Sequence, residues 1–258
     1  MENRIIQCFD GNTKKLLNLY FTAGFPQLND TMSVLNALEN GGADLIEIGM
    51  PYSDPVADGE TIQKANQQAL DNGMTLKLLF EQLQDMRKTI TVPVLLMGYI
   101  NPVMQFGVEN FCKKCQEIGV DGVILPDIPL SIYVDEFKEI FERYGLLNIF
   151  LISPQTIDAR IRLIDDVTSG FIYMVSSASV TGAKSGISDV QESYFERINA
   201  MNLKNPRLIG FGISDNETFE KACKHAKGAI IGSAYIKMLE NSTDFEADTK
   251  AFISNIKG

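Results

Sequence analysis

Eight short runs rich in β-branched, aromatic and leucine residues recur along the chain. They are LNLYFT (17–22), DLIEIG (44–49), VPVLLMGY (92–99), DGVILP (121–126), LNIFLI (147–152), GFIYMVS (170–176), PRLIGFG (206–212) and GAIIGS (228–233). Between them lie segments with apolar residues at i, i+3 and i+4, among them DTMSVLNALENG, LKLLFEQLQDMRK, YVDEFKEIFERYG, TIDARIRLIDDV and NETFEKACKHAKG. That spacing predicts amphipathic helices. Gly41, Gly119, Gly145 and Gly228 stand where helix C-termini favour glycine. Strands that alternate with helices pair in parallel, and eight such units predict a closed (β/α)₈ TIM barrel. An open doubly wound sheet is the alternative, but FTAGFPQLND after the first run lacks the glycine fingerprint that such a fold favours. NRIIQCFDGNTKKL predicts an extra N-terminal helix beneath the barrel. With no linker or composition break, residues 1–258 read as one TIM-barrel domain.

The barrel reading requires functional residues at the C-terminal strand ends and in the loops that follow. The polar and glycine-rich stretches do gather there: PYSDPVADGE after the second run, MGYINP after the third, LPDIP after the fourth. SSASVTGAKSG, GFGIS and IIGSA follow the last three. The opposite connections, such as NGGAD and KTITVP, are short and plain. Backbone N–H groups in SVTGAKSG could form an anion nest, and Gly232 and Ser233 open a short helix after the eighth run. Loops seven and eight with a helix N-terminus are the usual phosphate site of this fold. Together these features predict a phosphate-bearing substrate.

Composition narrows the chemistry. The net charge of −10 argues against sequence-independent binding to nucleic acid or anionic membrane, both of which need basic patches. Residues 1–15 contain no secretory apolar region, and no run of about 18 apolar residues occurs; the expected location is the cytoplasm. Cys112 and Cys115 form a CxxC inside a predicted helix with no second ligand pair, which reads as structural. His225, the single histidine, falls near the end of a predicted helix and reads as a surface or capping residue. Proton transfers therefore fall to carboxylates, tyrosines or lysines.

Two acids stand out. Glu47 interrupts an apolar strand, where a carboxylate is costly unless compensated. It is either a buried structural acid paired to a lysine or hydroxyl, or a desolvated carboxyl with raised pKa suited to shuttling a proton. Asp58, eleven residues later, is either the N-cap of a helix over ETIQKANQQAL or a second functional acid. Asp54, between Ser53 and Pro55, reads as a turn former.

IEIGMPYSDPVADGETIQ resembles the signature of the tryptophan synthase alpha chain family, E-(I/L)-G-(I/V/M)-P-(F/Y)-S-D-P-x-A-D-G-P-x-I-Q. The likeness runs through the chain: YFTAGFP, LMGYINP, PDIPL, VTGA, GFGIS and IIGSA each resemble a family motif, in order. The resemblance implies retro-aldol cleavage of indole-3-glycerol phosphate to indole and glyceraldehyde 3-phosphate. It implies no cofactor in this chain, and a beta chain carrying pyridoxal phosphate that receives the indole in an α₂β₂ assembly. By position, Glu47 would be the general acid/base and Asp58 would accept the indole N–H. Tyr173 would line the substrate site next to Glu47, Tyr20, Ile62 and Leu96 would lie around the indole, and Tyr99 and Asn101 would stand at the same mouth, Tyr99 as a further substrate-binding residue. Gly182, Gly212, Gly232 and Ser233 would hold the phosphate. Thr181, in the loop after the sixth strand, would meet Asp58 on closure. The loops at residues 51–54 and 101–107 would face the beta chain. Ser177, Ser179, Phe25 and Glu60 depart from the residues usual in the family. A self-sufficient lyase and a silent, partner-activating barrel are the alternative readings.

Overall fold

The computed structural model describes residues 2–10, 15–175, 189–210 and 212–258. Among them nine strands form one parallel sheet: β1 (Leu16–Thr22), β2 (Leu45–Gly49), β3 (Val94–Met97), β4 (Gly122–Ile124), β5 (Leu147–Ile149), β6 (Leu151–Ile152), β7 (Ile172–Val175), β8 (Arg207–Gly210) and β9 (Gly228–Ile231). The spatial order β5-β4-β3-β2-β1-β9-β8-β7-β6 runs around the sheet. Its two ends are one stretch of chain interrupted only at Phe150, whose carbonyl accepts from Tyr173 N at 3.0 Å. The predicted strand 147–152 thus serves both neighbours and closes the barrel: eight predicted runs, nine segments, one TIM barrel. Helices cover the outside, so strands such as β1, β2 and β3 are buried along their whole length, as strands covered on both faces must be.

The N-terminal helix Arg4–Asp10 stops the barrel at its N-terminal end. Ile5 is fully buried there, against Gly122 and Gly170; a methyl group on either would lie 2.8 Å and 3.0 Å from the Ile5 side chain. Asp121 fastens this end. Its carboxylate accepts from Arg4 at 2.9 Å, Arg87 at 2.5 Å and Val94 N at 2.9 Å, while its carbonyl accepts from Asn3 at 2.8 Å. At the same end Lys257, from the C-terminal helix Phe245–Lys257, bonds Asp44, whose carboxylate also accepts from Leu17 N.

Three expected helix ends differ. Gly42, not Gly41, takes the left-handed C-cap of Thr31–Gly41. Gly228 begins β9 rather than capping a helix: its α-carbon lies so close to the Leu16 backbone that no side chain fits. The helix expected over LKLLFEQLQDMRK ends at Gln82. Cys112 and Cys115 are free, buried thiols in the helix Val108–Ile118, and burial pushes both up, Cys112 to about 12. That leaves them inert. No helix among the described residues is long and apolar enough to cross a membrane.

Candidate active site

The cavity lies at the C-terminal end of the barrel, where the sites of this fold gather. Both acids line it. β1 and β2 run in parallel with Tyr20 opposite Glu47 and Thr22 opposite Gly49. Alternation along a strand therefore turns Asn18, Tyr20 and Thr22 to the inside together with Glu47.

Glu47 is fully buried. Its Oε1 accepts from Asn18 Nδ2 at 2.5 Å, whereas Oε2 has no hydrogen-bond partner. Burial pushes the carboxyl up to about 8, and the Asn18 amide pulls against that rise. Among the described residues no lysine or hydroxyl hydrogen-bonds this carboxyl, as the structural alternative required; a side-chain amide takes that place. At neutral pH this acid holds its proton.

Asp58 stands in the loop after β2. Its backbone is fixed by Asp58 N donating to Pro55 O at 3.0 Å and Gln63 Nε2 donating to Asp58 O at 2.8 Å. Gly59 occupies the N-cap of the helix Glu60–Asp71 without a side-chain cap, so the Asp58 carboxylate is not spent on the helix end. It accepts instead from Tyr99 Oη at 3.2 Å, and that phenol accepts from Ala57 N at 2.9 Å. Tyr52 stacks on Tyr99 at 5.1 Å and accepts from Asn101 Nδ2 at 3.3 Å. Burial pushes Asp58 up to about 6, with Tyr99 opposing. The two acids thus differ in their resting state. Glu47 is mostly protonated near neutrality and Asp58 mostly ionised.

Tyr20 and Tyr173 complete the walls. Tyr20 Oη lies 3.2 Å from Thr22 Oγ1. Its ring occupies the space beside Gly49, and that of Tyr173 the space beside Gly210, so that any Cβ at either glycine would overlap the phenol. Burial, followed by the charges of Glu47 and Asp58, raises the Tyr173 phenol far beyond neutrality. Both tyrosines stay neutral and shape the site.

Across the cavity from these groups come Gly212, at a positive φ of 77°, with Gly232 and Ser233. Gly232 caps the helix Ser233–Glu240, whose first N–H groups suit an anion. No lysine or arginine lines the cavity among the described residues.

Of the residues expected around the substrate, Glu47, Asp58, Tyr20, Ile62, Tyr173, Gly212, Gly232 and Ser233 line this cavity. Tyr99 stands behind Asp58 as its donor. Leu96 does not line it: it pairs in register with Ile48, one residue past Glu47, and so faces the helices. Met97 takes the expected place, because a shift of one residue along a strand exchanges its faces. Thr181, Gly182, Ser177 and Ser179 lie outside the described residues. Ile213 and Ile230 also line the site and carried no mark in the sequence. Asn18 was not singled out either, although its place as a polar residue on the same alternating face as Tyr20 is a signal that could have found it. Phe25 is buried and its bond to Pro26 is cis; Glu60 is exposed and paired to Lys64 at 2.7 Å.

The chain matches, over residues 7–257, the sequence model of the family described as "Tryptophan synthase alpha chain". A protein of that name from Flavobacterium johnsoniae is 61% identical over 240 residues, 93% of this chain and 94% of the relative. The crystal structure of the alpha chain from Legionella pneumophila superposes with a TM-score of 0.88 at 32% identity, covering 100% of this chain and 97% of that one. A chain of the tryptophan synthase complex from Pyrococcus furiosus superposes with a TM-score of 0.85 at 33% identity over 99% of each. A shared barrel alone would leave function open, but here barrel, acid pair and near-full-length identity coincide: the chain belongs to the tryptophan synthase alpha chain family.

Proposed function

We propose that this protein, acting as one barrel domain, cleaves indole-3-glycerol phosphate to indole and glyceraldehyde 3-phosphate by a retro-aldol step. The observation that carries the assignment of roles is the pairing of a protonated Glu47, one oxygen unpartnered, with an ionised Asp58 in one cavity. Two carboxyls whose surroundings separate their pKa values divide acid and base work between them.

In this reading Glu47 donates its proton to C3 of the indole, which makes the ring cationic and weakens the bond from C3 to the glycerol chain. Asp58 accepts the indole N–H and stabilises the charge that spreads to that nitrogen. Glu47, now a carboxylate, takes the proton of the hydroxyl on the adjacent side-chain carbon. The carbon–carbon bond breaks, its electrons return to the ring, and an aldehyde forms. One proton enters at C3 and one leaves the hydroxyl, so Glu47 ends as it began. Tyr20, Ile62 and Met97 would flank the ring, and the N–H groups at Gly212 and Gly232–Ser233 would hold the phosphate, with Thr181 and Gly182 completing the enclosure.

The indole would pass to a beta chain that carries pyridoxal phosphate, with no cofactor required in this chain and the cytoplasm as the setting. Exposed apolar residues on the C-terminal rim suit such a partner: Val56 after β2, Met104 after β3, and Ile132 and Val134 after β4. A silent barrel is disfavoured by the unpartnered Glu47 oxygen, since a carboxyl buried without function is a net cost. The test is indole release by the protein with and without beta chain, for wild type, Glu47→Gln and Asp58→Asn. Loss of at least about a hundredfold in Glu47→Gln is expected for a lost proton donor. A variant that keeps the full rate refutes the assignment, and a wild type indifferent to beta chain refutes the assembly.

A further inference from the structure

We infer that Asn18 is a positioning residue for Glu47: its side-chain amide holds one carboxyl oxygen and so leaves the working proton on the other. This rests on the reading of Glu47 as the proton-transferring acid.

Asn18 is fully buried on β1 and does not itself line the cavity. It lies behind the acid, out of reach of substrate, and an unpartnered polar residue in such a place would be costly. Its Nδ2 donates to Glu47 Oε1, while Oε2 is buried with no partner. An oxygen already accepting an N–H is the poorer place for a proton, so the neutral acid carries its proton on Oε2. That leaves the O–H free to meet a substrate carbon rather than bound to protein. After the proton is given up, the same N–H bonds the carboxylate, and charge-assisted bonds of this kind are about twice as strong as neutral ones. Asn18 therefore acts on the charged form produced during the reaction.

Among the described residues, no other group facing Glu47 donates a hydrogen bond to its carboxyl. Tyr20 on β1 hydrogen-bonds Thr22. Tyr173 on β7 and Asp58 in the loop after β2 contribute no positive charge, and Tyr99 on the loop after β3 is committed to Asp58. Leu95, opposite Glu47 in register on β3, is apolar, as is Ile230 on β9. Among the described residues that shift this carboxyl, the Asn18 amide alone favours its ionised form.

The experiment uses Asn18→Leu, of similar volume, and Asn18→Thr, a good strand former whose hydroxyl is one bond shorter than the amide. Indole formation is followed against pH with the beta chain present. Loss of one charge-assisted bond predicts that kcat falls about tenfold and the alkaline limb of kcat/KM moves up by about one pH unit, with KM unchanged. A folded variant with the wild-type limb overturns the proposal, and so does one that changes only KM.

Nuclear magnetic resonance tests it in the wild-type protein without turnover. The Glu47 carboxyl is assigned as the signal missing from Glu47→Gln, and the Asn18 side-chain amide must shift with the same midpoint. An amide that ignores the Glu47 titration overturns the proposal even if both variants fail to fold. Activity retained by Glu47→Gln would instead strike the functional reading, which this coupling does not address.

Discussion

Replacing Glu47 by glutamine should make the protein more stable as the pH rises while abolishing its chemistry. In the fold this carboxyl titrates at about 8, against an ordinary value of 4.5. The native state therefore binds a proton that the unfolded chain releases between those two values. Stability falls wherever the native state holds more protons than the unfolded one, so Glu47 costs stability progressively from about pH 4.5 to about pH 8 and no further above it. At 1.36 kcal/mol per pH unit, the loss between pH 5 and pH 9 comes to about 4 kcal/mol, a large share of the roughly 5–15 kcal/mol that holds a protein folded. Glutamine carries no charge to desolvate. Its carbonyl can keep the Asn18 N–H, and its amide can donate to Asn18 Oδ1, which is buried without a partner. Urea unfolding of both proteins from pH 5 to pH 9 reads the difference, and titrations common to both, such as Asp58, cancel. Curves that stay parallel over that range would refute the account of Glu47 as a desolvated acid.

Three further outcomes follow from the same geometry. Tyr99→Phe removes the O–H that bonds Asp58 and the acceptor of Ala57 N–H; the acid limb of kcat/KM should move above about 6 and activity at pH 6 should drop about tenfold, the scale of a lost bond to a charged acceptor, with an unmoved limb counting against it. Gly210→Ala would push a methyl group into the Tyr173 ring; overpacking of this kind costs about 1–3 kcal/mol and should lower both the melting temperature and indole formation, so a variant with wild-type values in both would show that the ring has room to move. Asp121→Asn breaks the buried pairing to Arg87 and Arg4 at the opposite end of the barrel; a loss of about 3 kcal/mol in urea is expected with little change in the rate of indole formation at low temperature, and a large loss of rate in the folded variant would contradict that separation.

The alternation of strand-like and helical runs was enough to read a parallel (β/α)₈ barrel, because the two periods are local properties of the chain. The anomaly of Glu47 was legible for the same reason: a strand buried on both faces has no routine use for a carboxylate. Which way each neighbour faced was not legible in this way. Leu96 and Met97 are both apolar in one run, and only the register of β2 against β3 decides that Met97 meets the cavity. The closing strand was legible as one element, but its neighbours were not: 147–149 pair with β4 and 151–152 with β7, strands distant in sequence that only the closed barrel brings to its two edges.

Asp58 shows the division most plainly. Its spacing from Glu47 was in the sequence, but a helix N-cap explained it equally well. The structure removes that reading by giving the cap to Gly59 and the carboxylate to Tyr99. Sequence by itself determined which residue types stand at the C-terminal strand ends, since those are set by order along the chain. Tertiary structure alone decided their protonation. Burial depth and the single donors Asn18 and Tyr99 come from other strands and loops, and no local pattern encodes the desolvation that places one acid near 8 and the other near 6.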